Sequence, residues 1–251
     1  MWSVLPVLAH ASDPSCELPP PPTLIPQVLS TRPRAYRITS LLSPSECDSL
    51  IQLGLPRLEP SKVGHASSPD GQAWRNSSSM TFSQDDLLQI PLLQRLRRRL
   101  SDAALMPEWL AEPLQLSRYL PGESFGLHSD ADVSGTVLRT ATIVAYLSAG
   151  FEGGETVFPR VSLSRGGSLP PVPKLVASGG QELLVEQLDH LDRFCDAETS
   201  EVLRVSARQG DALLFFSTQP DGSPDLDSIH GVIEYLKKEI WMLGFVIIVT
   251  L

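Results

Sequence analysis

From Pro113 onward the chain reads as a run of short strands. Leu114 to Tyr119 alternates apolar and polar residues, Phe125 to Asp130 follows a turn, and Thr140 to Leu147 is β-branched and apolar. Gly153-Gly154 marks a tight loop before Thr156-Val157-Phe158. Val202 to Val205 and Ala212 to Phe216 flank the turn signal Arg208-Gln209-Gly210-Asp211, and Ile240 to Val249 closes the series. Each segment is too short to bury itself alone. Strands at this density behind a helical N-terminal third predict an α+β fold, an antiparallel barrel or sandwich braced by helices.

The N-terminal third supplies the braces. Residues 1–35 are proline-rich, including Pro19 to Pro22, and predict a disordered arm, with structure starting near Tyr36-Arg37-Ile38. Ser43-Pro44-Ser45-Glu46 is a helix start: Ser43 as N-cap, Pro44 at the first position, Glu46 at the third. Leu50, Ile51 and Leu53 give that helix its buried face, and Gly54 can end it. Residues 59–80 are polar and Gly/Ser-rich and predict a loop. A second helical stretch runs from Asp85 to Leu105 with a break at Pro91, and Leu92, Leu93, Leu96 and Leu100 recur at helical spacing. Arg95, Arg97, Arg98 and Arg99 lie between them and predict a solvated face. Residues 159–200 break the strand rhythm and predict an insertion, so the working domain is 36–251.

Net charge excludes one broad class. At −9 the chain would repel phosphates on approach, which argues against a nucleic-acid partner. Cys16, Cys47 and Cys195 are scattered, without the C-x-x-C spacing of a zinc site or the pairing of a disulfide framework. Residues 2–11 are mildly apolar but carry Pro6 and lack a basic n-region, so no signal peptide and a cytoplasmic location are expected. No apolar run reaches the ~18 residues of a transmembrane helix.

Within the strands sits a candidate metal site. His128-Ser129-Asp130 places an imidazole and a carboxylate two residues apart, on one face if the segment is extended. His230, far downstream, can complete a set of two imidazoles and one carboxylate. Such a set occupies one face of an octahedral metal and leaves the opposite positions open, as in non-heme Fe(II) oxygenases.

The surrounding residues carry a resemblance. Trp74-Arg75-Asn76-Ser77-Ser78 precedes Arg118-Tyr119-Leu120-Pro121-Gly122-Glu123 and His128-Ser129-Asp130. Then come Arg139-Thr140-Ala141-Thr142, Tyr146-Leu147, Gly153-Gly154-Glu155-Thr156-Val157-Phe158-Pro159, Gly210-Asp211-Ala212-Leu213-Leu214-Phe215-Phe216 and Ser228-Ile229-His230-Gly231. In this order they resemble the Fe(II)- and 2-oxoglutarate-dependent dioxygenases, and among them the prolyl 4-hydroxylase catalytic domain. The resemblance implies a double-stranded β-helix, or jelly roll, with Fe(II) on His128, Asp130 and His230 at its mouth. It implies 2-oxoglutarate as co-substrate, L-ascorbate to rescue oxidised iron, and a prolyl residue of a peptide or protein as acceptor. Tyr119 matches the tyrosine whose phenol meets the far carboxylate of 2-oxoglutarate.

One departure stands out. The family places a lysine or arginine nine or ten residues after the distal histidine, where this chain has Glu239 and Ile240. Lys238 has the strand parity of Ile240 and becomes the expected anchor, ahead of Lys237. If both lysines are solvated, the alternative is a non-catalytic or weakly active jelly-roll binding module. A nucleic-acid demethylase on a similar barrel is disfavoured by the acidic charge. The walls of the site are expected from Ile143, Ala145, Leu214 and Phe216.

Overall fold

The computed structural model describes residues 25–61, 75–131, 138–148, 153–162, 202–232 and 239–249. The first strands are β1 (Gln27–Thr31) and β2 (Arg34–Ile38), which pair as an antiparallel hairpin. Strand β1 and the start of β2 therefore lie inside the stretch expected to be a disordered arm. The polar strand β1 gains its place from β2, which pairs in turn with a core strand.

Helix α1 (Pro44–Gly54) starts as the sequence dictates. The Ser43 side chain accepts from the Glu46 backbone N–H, and the Glu46 carboxylate accepts from the Ser43 N–H. Short strands β3 (Glu59–Pro60) and β4 (Ser78–Thr81) follow. They pair with each other at the ends of the span expected to be a loop. Helices α2 (Gln84–Gln89) and α3 (Pro91–Ala104) are split at Ile90-Pro91, since the residue before proline is pushed out of the helical region. The arginines of α3 are not simply solvated. Arg99 holds the Glu46 carboxylate with two donors, at 2.9 and 3.0 Å, tying α3 to α1. Arg97 donates to the Glu108 and Ala111 carbonyls, and Arg98 to the Glu108 carboxylate.

The remaining strands are β5 (Gln115–Tyr119), β6 (Phe125–His128), β7 (Leu138–Tyr146), β8 (Thr156–Ser162), β9 (Val202–Val205), β10 (Ala212–Phe216), β11 (His230–Val232) and β12 (Ile240–Val249). Because β8 runs on to Ser162, the first residues assigned to the insertion belong to the barrel, and residues 163–200 lie outside the described residues. An eight-stranded sheet has the order β1-β2-β10-β7-β12-β5-β4-β3, and a four-stranded sheet the order β6-β11-β8-β9. This is the double-stranded β-helix.

The large sheet has two different faces. Leu116, Ala141, Ile143, Ala145, Leu214, Leu243 and Phe245 pack with Leu50, Leu93, Leu96 and Leu100 of the helices. The opposite face carries Ala35, Tyr119, Tyr146, Leu213, Phe215, Ile240 and Met242, which pack with Phe158, Leu203 and Val205 of the small sheet. The expected lining residues Ile143, Ala145, Leu214 and Phe216 therefore belong to the helix side. The inner wall is made by their neighbours in sequence, because consecutive strand residues point to opposite faces. Among the described residues no helix is long and apolar enough to cross a membrane.

Candidate metal centre

The small sheet brings the two histidines together directly. His230 of β11 is the cross-strand partner of His128 of β6, and their ring centroids are 4.3 Å apart. Strand β6 ends at His128, and Asp130 follows just beyond it. One donor atom from each of His128, Asp130 and His230 lies within 4.8 Å of the other two, a grouping that could hold a metal ion.

Hydrogen bonds prepare each donor. His128 Nδ1 is 2.9 Å from the Gly126 carbonyl oxygen, and His230 Nδ1 is 3.0 Å from the Ser228 carbonyl oxygen. A carbonyl only accepts, so each ring donates its Nδ1–H, and Nε2 is the nitrogen left to meet a metal. The Thr142 hydroxyl donates to Asp130 Oδ2 at 2.6 Å, while Oδ1 lies 3.4 Å from His128 Nε2. One carboxylate oxygen is thus oriented by the protein and the other faces the imidazoles. Two imidazole nitrogens and one carboxylate oxygen, each on a side chain whose direction a partner fixes, fit a divalent first-row metal.

The charge states follow from the surroundings. Burial, reinforced by the adjacent His128 ring, pulls His230 down to about 4 against the pull of Asp130, so it is a neutral imidazole at ordinary pH. Burial alone would raise the Asp130 carboxyl. The His230 and His128 rings and the Thr142 hydroxyl outweigh it and hold the carboxyl well below the usual carboxylate range.

Aromatic rings wall the site. Phe125 stacks on His128 at 3.8 Å and 15°, and Phe215 meets His230 edge-on at 4.5 Å. Phe158 lies 5.6 Å from His230 and 5.4 Å from Phe215. Deeper in the same cluster, the Tyr146 hydroxyl bonds Thr156 Oγ1 at 3.0 Å across the two sheets. Burial pushes the Tyr146 phenol up to about 12, so it stays a hydrogen-bond donor.

Tyr119 is 3 % exposed on this inner face and is the cross-strand partner of Ile240. Burial raises its phenol, with Arg75 and Ser77 close by and opposing. Ile240 is fully buried in the inner cluster, and the side chain there is apolar. Lys237 and Lys238 lie outside the described residues.

Sequence reasoning missed several residues around the site. Thr142, Phe158 and Phe215 occupy inner-face parity within recognised strands, so the correct register would have found them. The turn before β11 had no such signal. There Asp227 joins two arginines, Arg160 of β8 at 3.1 Å and Arg32 at 3.1 Å, and its N–H donates to Asp225 Oδ1.

Comparison with known proteins agrees with this architecture. The 2OG-Fe(II) oxygenase superfamily matches residues 114–245. Prolyl 4-hydroxylase 1 of Arabidopsis thaliana is 30% identical over 238 residues, spanning 92% of this chain and 74% of that protein. The viral collagen prolyl hydroxylase of Paramecium Bursaria Chlorella virus-1, in its 2OG complex, superposes with a TM-score of 0.54 at 20% identity, covering 86% of this chain and 96% of the other. A Trichoplax adhaerens prolyl hydroxylase, in complex with a hypoxia inducible factor peptide fragment, has a TM-score of 0.50 at 11% identity, covering 85% and 82%. The chain belongs to the 2OG-Fe(II) oxygenase superfamily, with prolyl 4-hydroxylases among its relatives. It is an oxidoreductase of the 2-oxoglutarate-dependent dioxygenase type, and the family implies Fe(II) and 2-oxoglutarate.

Proposed function

We propose that the protein hydroxylates a prolyl residue in a peptide or protein, using Fe(II) held by His128, Asp130 and His230. The observation that carries this reading is the donor set itself: both Nδ1–H groups are committed to backbone carbonyls, and Asp130 Oδ2 to Thr142. Bound iron would supply, with 2-oxoglutarate and O2, the oxidising power to hydroxylate an unactivated C–H bond.

The chain's own residues do the rest. Phe125, Phe158 and Phe215 pack around the imidazoles and keep water from the reacting centre. The Tyr119 phenol, protonated and buried, is a donor for a co-substrate carboxylate. The acceptor follows the relatives: the Arabidopsis protein is a prolyl 4-hydroxylase, and the Trichoplax enzyme carries a peptide. L-ascorbate would restore iron oxidised in cycles that do not reach substrate.

A second reading is favoured by one observation. Buried Ile240 stands where the family carries a cation, which suits a weakly active or non-catalytic binding module. Succinate release from 2-oxoglutarate separates the two, measured with Fe(II), ascorbate and a panel of proline-containing peptides. Peptide-dependent succinate release with one oxygen added to proline, lost in His128→Ala, supports the hydroxylase. Peptide binding without succinate release supports the module. Release that no proline-containing peptide stimulates points to another acceptor.

A further inference from the structure

We propose that Arg75 carries the far carboxylate of 2-oxoglutarate, the work given in the family to a basic residue at the position of Ile240. This rests on the proposed reading of the protein as a 2-oxoglutarate-using hydroxylase. The argument starts from sheet register. Tyr119 of β5 is the partner of Ile240 of β12, and Ser117 is the partner of Met242. Directly opposed side chains on one face stand within about 5.5 Å of each other at Cβ. A cation beside Tyr119 and Ser117 therefore occupies the same part of the inner wall as a side chain from position 240.

Arg75 is placed there from the other edge. Its backbone bridges Phe125, its Nε donates to Ser77 Oγ at 2.8 Å, and its Nη2 donates to Ser117 Oγ at 2.8 Å. Ser77 and Ser117 are 2% and 6% exposed, so the guanidinium is drawn in over the inner face rather than out to solvent. It lies 4.6 Å above the Phe125 ring and 6.0 Å from the Tyr119 ring. Phe125 in turn stacks on His128. Arg75 and the proposed metal ligand His128 thus share Phe125 as a neighbour.

Valence completes the case. A guanidinium has five N–H donors in a planar fork. The two serine hydroxyls take two of them, and among the described residues Arg75 has no carboxylate partner. A further N–H is directed at the Tyr119 phenol oxygen, and the donors that remain can turn to a carboxylate placed beside that phenol. Serines cannot neutralise the charge. An inward-drawn cation held by two neutral hydroxyls is a site waiting for an anion, and Tyr119 adds a third donor at the same place.

The test is binding, read by calorimetry on Mn(II)-loaded protein so that no turnover intervenes. Two acids are compared: 2-oxoglutarate, and 2-oxopentanoate, which keeps the 2-oxo acid head but ends in a methyl group. Arg75→Gln should weaken 2-oxoglutarate by roughly 10- to 100-fold, the span for loss of a charge-assisted hydrogen-bonded pair. It should leave 2-oxopentanoate within about twofold, since that acid makes no far contact. Arg75→Lys should recover part of the loss, and Lys237→Ala/Lys238→Ala should leave 2-oxoglutarate affinity unchanged. Arg75→Gln binding 2-oxoglutarate like the wild type, or losing both acids equally, overturns the assignment. So does a loss of affinity confined to the lysine variant. Wild-type protein that binds neither acid sinks the functional reading as well, whereas wild-type binding with an indifferent Arg75→Gln sinks this inference alone.

Discussion

Arg160→Met tests how the fold holds His230 in place. Arg160 on β8 and Asp227 in the turn before β11 are 8% and 5% exposed, and Arg160 Nε donates to Asp227 Oδ1 at 3.1 Å. The turn reaches the imidazole through short links: the Asp227 N–H to Asp225 Oδ1, the Ser228 hydroxyl to the Asp225 carbonyl, and the His230 Nδ1–H to the Ser228 carbonyl. Methionine keeps much of the buried volume but removes the charge. Breaking a buried pair from one side costs about 3–5 kcal/mol, because the remaining charge is left uncompensated. Arg32 still reaches Asp227 Oδ2, but its side chain is 66% exposed, and an exposed partner is worth about 0–1 kcal/mol. The expected loss is therefore about 3 kcal/mol, at the lower end of that range.

Urea unfolding followed by tryptophan fluorescence reads the stability, and Mn(II) titration reads the site. Asp227→Leu in the Arg160→Met background should recover much of the loss, since an apolar pair replaces a buried carboxylate left with only the exposed Arg32 as partner. Mn(II) affinity should fall by roughly 10-fold in Arg160→Met as the Ser228 carbonyl loosens, the low end for outer-shell substitutions. A stability change under about 1 kcal/mol, or an equal change with and without Asp227, would refute the reasoning.

Three further outcomes are expected. Gly231→Ala would place a Cβ 2.9 Å from the Phe125 carbonyl oxygen and 3.2 Å from Leu127 Cδ2, which pushes β11 off β6 and His230 from His128; Mn(II) affinity should drop, while a variant binding Mn(II) normally would show the backbones are not in close apposition. Thr142→Val removes the hydroxyl that orients Asp130 and should weaken Mn(II) by roughly 10-fold with the circular dichroism spectrum unchanged. Asp86, held at about 2 by the Arg57 guanidinium and the Ser83 cap, gives stability above the ordinary aspartate range that is lost as pH falls through about 2. Asp86→Ala should therefore cost about 1 kcal/mol at pH 6 and much less near pH 2, by urea unfolding at each pH.

What could be read from the chain beforehand was whatever is decided locally. The Ser43/Glu46 capping box and the proline break before α3 involve residues a few positions apart, and both appear as expected. The apolar cores of β7, β10 and β12 identify themselves by composition. Strands β1 and β4 do not, because Gln27–Thr31 and Ser78–Thr81 are polar and owe their extension to the strands beside them. His128 and Asp130 were visible as a pair. That His230 sits opposite His128 depends on a register between distant strands, which no local pattern encodes.

The misplaced lining residues have a more general cause. A strand that alternates apolar and polar residues is ordinarily apolar toward the core and polar toward water, which points the apolar set to the barrel interior. Here the large sheet is covered on both faces. Its mainly apolar set packs on helices. The set with Ser117, Tyr119, Thr142 and Tyr146 turns inward, toward the His128, Asp130 and His230 cluster. Those hydroxyls are buried, so each needs a partner to offset its desolvation. Thr142 finds one in Asp130, Tyr146 in Thr156 and Ser117 in Arg75. In this sheet the buried hydroxyls of Ser117, Thr142 and Tyr146 mark the face turned toward His128 and His230, and Ser117 draws the Arg75 guanidinium to that face.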